Sequence, residues 1–274
     1  MIDFIFNVSK SFNESSGTKT LSLSRVKEMG INVPALWSVN CEEFERFIRE
    51  FDIMPIEQFL SLDSFDDSQV KLIREAKKHI GINFDGDSKG RYIARSSSVP
   101  KSIIHNYASM ISGAFESYEC TSDNLAQSIV AVYESLYSEK AFLQLKLAGL
   151  EKNIRGMAVL VQEFVVPECS GVLHAYKGDS FMEVNWVQGH LRSIVSGDTS
   201  GDYDVIYEKN GEIIVRGKEQ HIYCIIENGY SGAFMELYGI SSKLLERAQT
   251  DLEIEWIYRD GKIYIVQNQE LIRI

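Results

Sequence analysis

In the first half of the chain, apolar residues recur at the three- and four-residue spacing of helices. The stretch 22–29 predicts a helix that ends at Gly30, and the stretch 67–79 predicts another. Asn40, with Glu43 three residues later, predicts a capping box at the start of a further helix. A long helix is expected to begin at Thr121 or Ser122, and short apolar strands are predicted at 36–39 and 91–94.

The second half of the chain is rich in predicted strands. Two apolar segments, 157–162 and 170–174, are expected to lie beside each other in one sheet. Further strands are predicted at 180–185, 204–207 and 212–215, followed by a helix at 242–250 and a final hairpin. The hairpin is the most informative of these segments, because its alternation restricts its register.

The hairpin that spans residues 253–267 offers two turns. One is a two-residue loop made of Asp260 and Gly261, and the other is a three-residue loop with Gly261 left-handed in a bulge. We prefer the three-residue loop, because the shorter one would place Gln267 among aromatic residues. One predicted face then holds Ile254, Trp256, Tyr258, Tyr264 and Val266, and the other holds Glu253, Glu255 and Gln267 beside Ile257, Ile263 and Ile265.

Two carboxylates and one amide oxygen on the same surface form an oxygen-rich set of ligands. Such a set suits Mg²⁺, which keeps some waters and takes its remaining ligands from substrate phosphates. The alternative is a solvated polar face on an exposed hairpin, because acidic residues often alternate on such strands. The residues alone leave both interpretations open.

Composition and charge exclude several classes of protein. The chain has 274 residues, of which 45% are hydrophobic and 24% charged, so it is long enough to bury a large core and is not expected to be disordered. Its formal net charge of −11 argues against a nucleic acid as partner. The longest apolar stretch, 157–166, is interrupted by Gln162 and Glu163, and no signal peptide is evident, so we expect a cytoplasmic protein without a membrane partner.

Neither the cysteines nor the histidines show the spacing of a metal site. The four cysteines are far apart and lack a CxxC motif, so they are expected to be buried as small hydrophobic residues. None of the five histidines forms an i,i+4 pair, and none is assigned a catalytic role. Arg95 is a better candidate for chemistry, because it ends a strand and is followed by three serines that supply further donors.

Several segments, in order, resemble the nucleotide-binding domain of the phosphoenolpyruvate synthase and pyruvate phosphate dikinase family. The segments are Lys19–Leu23 with Met29–Pro34, Ile93–Ser97 (similar to the family's VRSS), Met110–Ser117 (SFAGxxET), Met157–Val165 (MAVLVQxMV), Ser170–Leu173 (SGVL), and Glu253–Trp256 through Gln267 (DIEW and LYxLQxR). The resemblance implies one ATP-grasp domain over residues 1–274. Its fold class would be α+β, with two lobes of mixed or antiparallel sheets and flanking helices, approximately 1–156 and 157–274.

The resemblance also implies roles for particular residues. Lys19 and Arg95 would act on the ATP phosphates as the catalytic cations, and Gly113 would belong to a loop that covers them. The hinge residues whose backbone would read the adenine edge are Gln162, Glu163, Phe164 and Val165. Glu255 and Gln267, with Glu253 as a weaker ligand, would hold the Mg²⁺ that bridges the phosphates, and Gln267 would also contact ATP.

The chain departs from the family pattern at three places, of which the first is Glu253, where the family usually has the shorter aspartate. Gln269 stands where the family has an arginine, which removes a bidentate phosphate donor. The segment 188–192 lacks the family's glutamate, although Arg192 lies there as a further cation.

The resemblance implies an ATP-dependent phosphotransferase that uses Mg²⁺. The acceptor would be a histidine of a partner domain or subunit, or a small molecule, because the chain lacks the family's phosphohistidine motif. Two alternatives remain: an ATP-grasp ligase that forms an acyl phosphate, and a degenerate module that binds nucleotide or protein without catalysis.

Overall fold

The computed structural model divides the chain into two compact units. The structure describes residues 4–102, 107–111, 113–189 and 202–271. Unit 1 comprises Met1–Leu21 and Ala35–Phe164, and unit 2 comprises Ser22–Pro34 and Val165–Ile274. The predicted boundary between residues 156 and 157 is wrong, because it falls inside a strand, Ile154–Glu163, that pairs within unit 1 over its whole length.

The described secondary structure consists of the following elements. The helices are α1 (Gly17–Glu28), α2 (Cys41–Glu50), α3 (Ile56–Leu60), α4 (Ser68–Ala76), α5 (Tyr107–Met110), α6 (Leu125–Leu136), α7 (Glu139–Leu147), α8 (Glu219–Glu227) and α9 (Ser231–Arg247). The strands are β1 (Phe4–Asn7), β2 (Leu36–Val39), β3 (Ile80–Asn83), β4 (Arg91–Pro100), β5 (Ser117–Thr121), β6 (Ile154–Glu163), β7 (Cys169–Ala175), β8 (Phe181–Gln188), β9 (Asp202–Lys209), β10 (Glu212–Arg216), β11 (Asp251–Arg259) and β12 (Lys262–Leu271). No helix among the described residues is long and apolar enough to cross a membrane.

Unit 1 is built on a four-stranded antiparallel sheet in the order β2-β6-β4-β5. Helices α2 and α6 pack on one face of this sheet, where alternate strand residues such as Tyr92 and Ala94 are buried. The core beneath them is aromatic: Phe44 and Tyr133 meet edge to face with ring centroids 5.0 Å apart. A short parallel pair, β1 and β3, extends the unit. The opposite face of the sheet carries the polar residues described below.

Unit 2 is built on a six-stranded antiparallel sheet in the order β10-β9-β8-β7-β11-β12. Helix α9 covers one face, where Phe234 packs edge to face between Trp186 and Trp256 at centroid distances of 5.4 and 5.8 Å. A carboxylate is buried in this layer: Asp204 accepts a hydrogen bond from Trp186 Nε1 at 2.7 Å and lies 3.2 Å from His221 Nδ1. The buried Asp204 carboxylate therefore has a partner at each of its two oxygens.

The predicted adjacency of the strands at 157–162 and 170–174 is wrong. They form β6 and β7, which belong to different sheets. Strand β6 pairs with β2 on one side and with β4 on the other, so neither edge remains for β7. Two apolar runs in succession predict two strands, but they do not show which strand each run pairs with.

Asn40 stands at the N-cap of α2, as predicted, but the capping box is absent. Its side-chain oxygen accepts from the hydroxyls of Ser16 and Ser38, each at 2.8 Å. The Glu43 carboxylate accepts from the Asn7 backbone and side chain instead of the cap residue. Tertiary partners have therefore replaced the local hydrogen bonds that the sequence predicts.

The cysteines are all free thiols. Cys41, Cys120 and Cys169 are buried, which confirms the prediction for these three, whereas Cys224 is half-buried. Burial raises the pKa of Cys41 and of Cys169 to about 12. These two thiols are consequently protonated and inert as nucleophiles at neutral pH.

Candidate nucleotide site

Arg95 lies on the face of the four-stranded sheet that α2 and α6 leave open. Alternation along β4 places it on the same face as Ile93, and Ile93 pairs directly with Gln162 of β6. The Arg95 Nη1 group donates to Gln162 Oε1 at 3.4 Å. Gln162 is buried and Arg95 is half-buried, so the amide restrains a guanidinium that remains accessible.

A close backbone approach positions Lys19 near the same strand. Gly17, at the first position of α1, packs on Ser97 so tightly that a Cβ there would lie 2.1 Å from the Ser97 carbonyl oxygen. Thr20 donates to Ser97 Oγ with its backbone N–H and with its hydroxyl, each at 3.2 Å. Lys19 lies two residues beyond Gly17, and Arg95 lies two residues before Ser97. This contact fixes the backbone at the start of α1 against β4, two residues from Lys19 on one side and two residues from Arg95 on the other.

The hinge residues form hydrogen bonds within the protein. The Glu163 N–H donates to the Ala35 carbonyl at 2.9 Å, and the Phe164 N–H donates to the Arg91 carbonyl at 2.9 Å. These two N–H groups already donate to main-chain carbonyls at the ends of the paired strands, and the binding of ATP by the hinge residues stays a prediction. Gln162 also turns its side chain to Arg95. Val165 follows at the first position of the second part of unit 2.

Phe164 presents an aromatic ring that sequence reasoning did not use. The Arg91 guanidinium lies 4.1 Å from the Phe164 ring centroid and also pairs with Glu119 at 3.3 Å. Guanidinium and aromatic planes are both surfaces on which a nucleobase stacks. The alternation along β4, which places Arg91 on the same face as Arg95, was the signal in the sequence that could have identified this pair.

Gly113 has a positive φ of 71°, and a Cβ at this position would meet no atom within 4 Å. The glycine is required there by the backbone conformation rather than by a close neighbour. The loop to which it belongs includes residues 103–106 and 112, which lie outside the described residues. Its predicted role at the phosphates stays a prediction. Arg192, the further cation of the altered segment 188–192, also lies outside the described residues.

The turn of the final hairpin is the two-residue loop, so the predicted three-residue loop is wrong. Arg259 pairs with Lys262, and the two loop residues both have positive φ, 49° at Asp260 and 73° at Gly261. Asp-Gly favours this turn because its twist matches that of the strands. As a result Ile263 and Ile265 are fully buried with the aromatic face, while Tyr264 lies opposite Ile257.

A bulge farther along the hairpin nevertheless brings the predicted ligands together. The register shifts by one residue between Glu255 and Trp256, so Glu255 pairs directly with Gln267. The bulge offsets the effect of the shorter loop, because one extra residue returns Gln267 to the face of the two glutamates. Glu253 lies on this face as well, opposite Gln269.

This open face of the six-stranded sheet carries two adjacent polar rows. Strand pairing places side by side, in the first row, Gln267, Glu255, Val172 and Asn185, and in the second row, Gln269, Glu253, His174 and Glu183. His174, Asn185 and Glu183 were missed by sequence reasoning. Their signal was the alternation along β7 and β8, which is informative only after the strand order is known.

Glu253 is held at both carboxylate oxygens. Gln269 Nε2 donates to its Oε1 at 2.5 Å, and His174 Nε2 lies 3.3 Å from its Oε2. Gln267 Nε2 in turn donates to Gln269 Oε1 at 3.0 Å. The face therefore contains an ordered hydrogen-bonded network rather than separate solvated side chains.

Glu183, at the far end of the second row, is ionised by its neighbours. Burial opposes the charge, but hydrogen bonds from Tyr203 and Tyr176 outweigh it and hold the pKa of this carboxyl below its usual range. The Tyr176 hydroxyl donates at 2.7 Å. Glu183 thus adds negative charge to the face that holds the predicted metal ligands.

The donor set of this face fits Mg²⁺. Glu255 supplies carboxylate oxygens, and the directly paired Gln267 supplies an amide oxygen on a side chain that is only 6% exposed. Within the described part of the chain, no group of three or more acidic, histidine or cysteine side chains forms a metal cage. Such a sparse set suits an ion that takes its remaining ligands from phosphate and water.

The two units, each with an antiparallel sheet, flanking helices and one polar face, have the α+β architecture predicted for an ATP-grasp nucleotide-binding domain. Residues 53–273 match the family described as pyruvate phosphate dikinase, AMP/ATP-binding domain. Because the match spans most of the sequence, the chain belongs to this family. The family resemblance inferred from the motifs is confirmed, and so is the α+β fold class.

Individual relatives are distant. A probable phosphoenolpyruvate synthase from Methanocaldococcus jannaschii is 22% identical over 92% of this chain and 25% of its own length. A rifampicin phosphotransferase from Streptomyces sviceus is 23% identical over 91% of this chain and 33% of its own length. The chain thus spans a quarter to a third of these relatives.

Among solved structures, D-alanyl-alanine synthetase A from Vibrio cholerae is similar with a TM-score of 0.37 and 12% identity. The similarity covers 93% of this chain and 55% of that one. No functional conclusion follows from similarity at this level.

Proposed function

We propose that the chain binds Mg·ATP and donates a phosphoryl group from ATP. The acceptor is either a histidine of another domain or subunit, or a small molecule. Family membership supports the nucleotide. The observation that carries the proposal is the direct pairing of Glu255 with Gln267 on the open face of unit 2, since this gives Mg²⁺ an oxygen-donating pair.

The residues of unit 1 would act on the phosphates. Arg95 offers a guanidinium whose position is restrained by Gln162, and Lys19 is anchored through the contact between Gly17 and Ser97. Fixed cations of this kind stabilise the charge that develops on a transferred phosphoryl group. When bound, Mg²⁺ would neutralise phosphate charge and orient the transferred group.

The acceptor is proposed from the relatives rather than from this chain. A histidine of a partner domain or subunit is the acceptor that the family resemblance implies. A small-molecule acceptor fits the relative named for rifampicin. Transfer to either acceptor requires that the chain first binds Mg·ATP, so nucleotide binding is the step to test first.

The test is thermal unfolding of the full chain with ATP, ADP, AMP or GTP, each with and without Mg²⁺. A ligand at 100 times its dissociation constant adds about 2.7 kcal/mol to the free energy of unfolding. We expect the largest rise in midpoint with ATP and Mg²⁺ together. The rise should be lost in Glu255→Ala and kept in Glu236→Ala, which alters an exposed glutamate of α9.

Two results would contradict the proposal. The absence of a midpoint shift with any nucleotide would favour the degenerate binding module. A shift with ATP that is unaffected by Mg²⁺ and by Glu255→Ala would reject the metal assignment. If binding is established, transfer of labelled phosphate from ATP to added histidine carriers or small molecules identifies the class of acceptor.

A further inference from the structure

The amide groups of Gln267 and Gln269 form a directional chain of hydrogen bonds that ends on Glu253. Gln267 Nε2 donates to Gln269 Oε1 at 3.0 Å, and Gln269 Nε2 donates to Glu253 Oε1 at 2.5 Å. Each amide directs its nitrogen toward Glu253. The amide oxygen of Gln267 is therefore turned away from Gln269.

The carboxylate determines this direction. An ionised carboxylate accepts hydrogen bonds and cannot donate, whereas an amide does both. Glu253 therefore requires the NH₂ end of Gln269, whose oxygen is then left to accept from the NH₂ end of Gln267. The amide orientation of Gln267 follows from a charge two side chains away.

The orientation of Gln267 matters because the two ends of an amide act oppositely on a cation. Its oxygen is a ligand for Mg²⁺, whereas its NH₂ group would repel the ion. Gln267 is only 6% exposed, so water has little access to compensate for a reversed amide. The second oxygen of Glu253 is held by His174, which keeps the carboxylate in place.

We propose that Glu253 is a positioning residue, which acts through Gln269 to fix the Gln267 amide oxygen as a metal ligand, and that it does not itself bind the metal. This inference rests on the proposed function, because it assigns Mg²⁺ to Glu255 and Gln267. It also gives a role to Gln269, the residue that replaces the family's arginine.

The experiment exchanges the two residues of the relay. In Glu253→Gln the end of the chain is an amide that both donates and accepts, so the direction is no longer enforced. In the double variant Glu253→Gln with Gln269→Glu, a carboxylate again accepts from Gln267 Nε2, and the net charge equals that of the wild type. The exchange therefore restores the direction at Gln267 while changing the residues that produce it.

The measured quantity is the ratio of the dissociation constants of a non-hydrolysable ATP analogue without and with Mg²⁺, obtained by calorimetry on the full chain. Loss of an orienting partner typically reduces metal affinity about 10–100-fold. We expect Glu253→Gln to lower the ratio at least about 10-fold with unchanged affinity in the absence of Mg²⁺. The double variant should regain most of the loss, and Glu236→Gln should match the wild type.

The outcomes separate this inference from the proposed function. If Mg²⁺ has no effect on the wild type, the proposed function fails and the inference fails with it. If the wild type responds to Mg²⁺ and Glu253→Gln responds equally, only the inference is overturned. A double variant that is no better than Glu253→Gln also overturns it, because a direct ligand role of Glu253 would give that result.

Discussion

The open faces of the two sheets carry opposite chemistry on similar frameworks. In unit 1 the face presents cations, with Arg95 restrained by Gln162 and Arg91 stacked on Phe164. In unit 2 it presents carboxylates and amides, with Glu255 beside Gln267. In both units helices cover the other face, so the apolar core forms there and the polar residues lie on the opposite side of the sheet.

The two faces are also organised in different ways. The cationic face depends on a backbone contact, because Gly17 brings the start of α1 directly onto Ser97. The face of unit 2 depends on a side-chain network centred on Glu253. A backbone contact tolerates no added atom, whereas a side-chain network tolerates exchanges that preserve its direction. This difference gives the faces distinct sensitivities to mutation.

The largest effect is expected for Gly17→Ala. Gly17 combines φ 79° with ψ 170°, a region used almost only by glycine, and a Cβ would overlap the Ser97 carbonyl. Backbone strain of about 1–3 kcal/mol and a steric cost of similar size should together lower the free energy of unfolding by about 3 kcal/mol. Urea unfolding measures the change, and ATP affinity should fall with it.

Gly30→Ala is the matched control for this variant. Gly30 has a positive φ of 76°, but a Cβ there would meet no atom within 4 Å. Its cost should be about 1 kcal/mol, from the backbone conformation alone. Equal losses in the two variants would show that the contact with Ser97 does not organise the cationic face.

The next effect separates the two faces by their dependence on metal. Arg95→Gln removes a charged hydrogen-bond donor, so ATP affinity should fall about 10–100-fold both with and without Mg²⁺. Glu255→Gln should weaken ATP only when Mg²⁺ is present. Calorimetry with and without the metal measures both, and the exposed Arg49→Gln serves as control. If Arg95→Gln weakened binding only in the presence of Mg²⁺, the division of roles between the faces would be wrong.

The sequence predicts the covered faces better than the open ones, for a physical reason. The strand at 36–39 was predicted with its observed bounds, because a buried apolar run is a local signal. The pairing of β7 with β11 and β8 was not predictable, and with it the row that joins His174 to Glu253 was missed. Strand order depends on contacts distant in sequence, so polar residues contributed by several strands escape local patterns.

The hairpin shows the same limit within one motif. Alternation predicted that Glu255 and Gln267 share a face, and they do, but through a two-residue loop and a bulge rather than a three-residue loop. The two-residue turn that Asp-Gly favours would, with strict alternation, place Gln267 on the aromatic face. The bulge returns Gln267 to the face of the glutamates, so the favoured turn is kept. The family motifs identified the residues to examine, whereas the Glu253 network became visible only from their contacts.

The smallest effect tests whether the unit 2 face is anionic at low pH. The hydrogen bonds from Tyr203 and Tyr176 lower the pKa of Glu183 in the folded state beneath its ordinary value of 4.5. Its ionised form therefore stabilises the fold above that pH, and this contribution is lost as the pH falls through the lowered pKa.

Glu183→Gln should cost less than about 1 kcal/mol near neutral pH, because water screens a partly exposed group. The difference from the wild type in urea unfolding should shrink below about pH 4.5, unlike that of the exposed Glu212→Gln. A difference that stays constant down to pH 3 would mean that the tyrosines do not favour the charged form, and the face would then lose its contrast with unit 1 at this end.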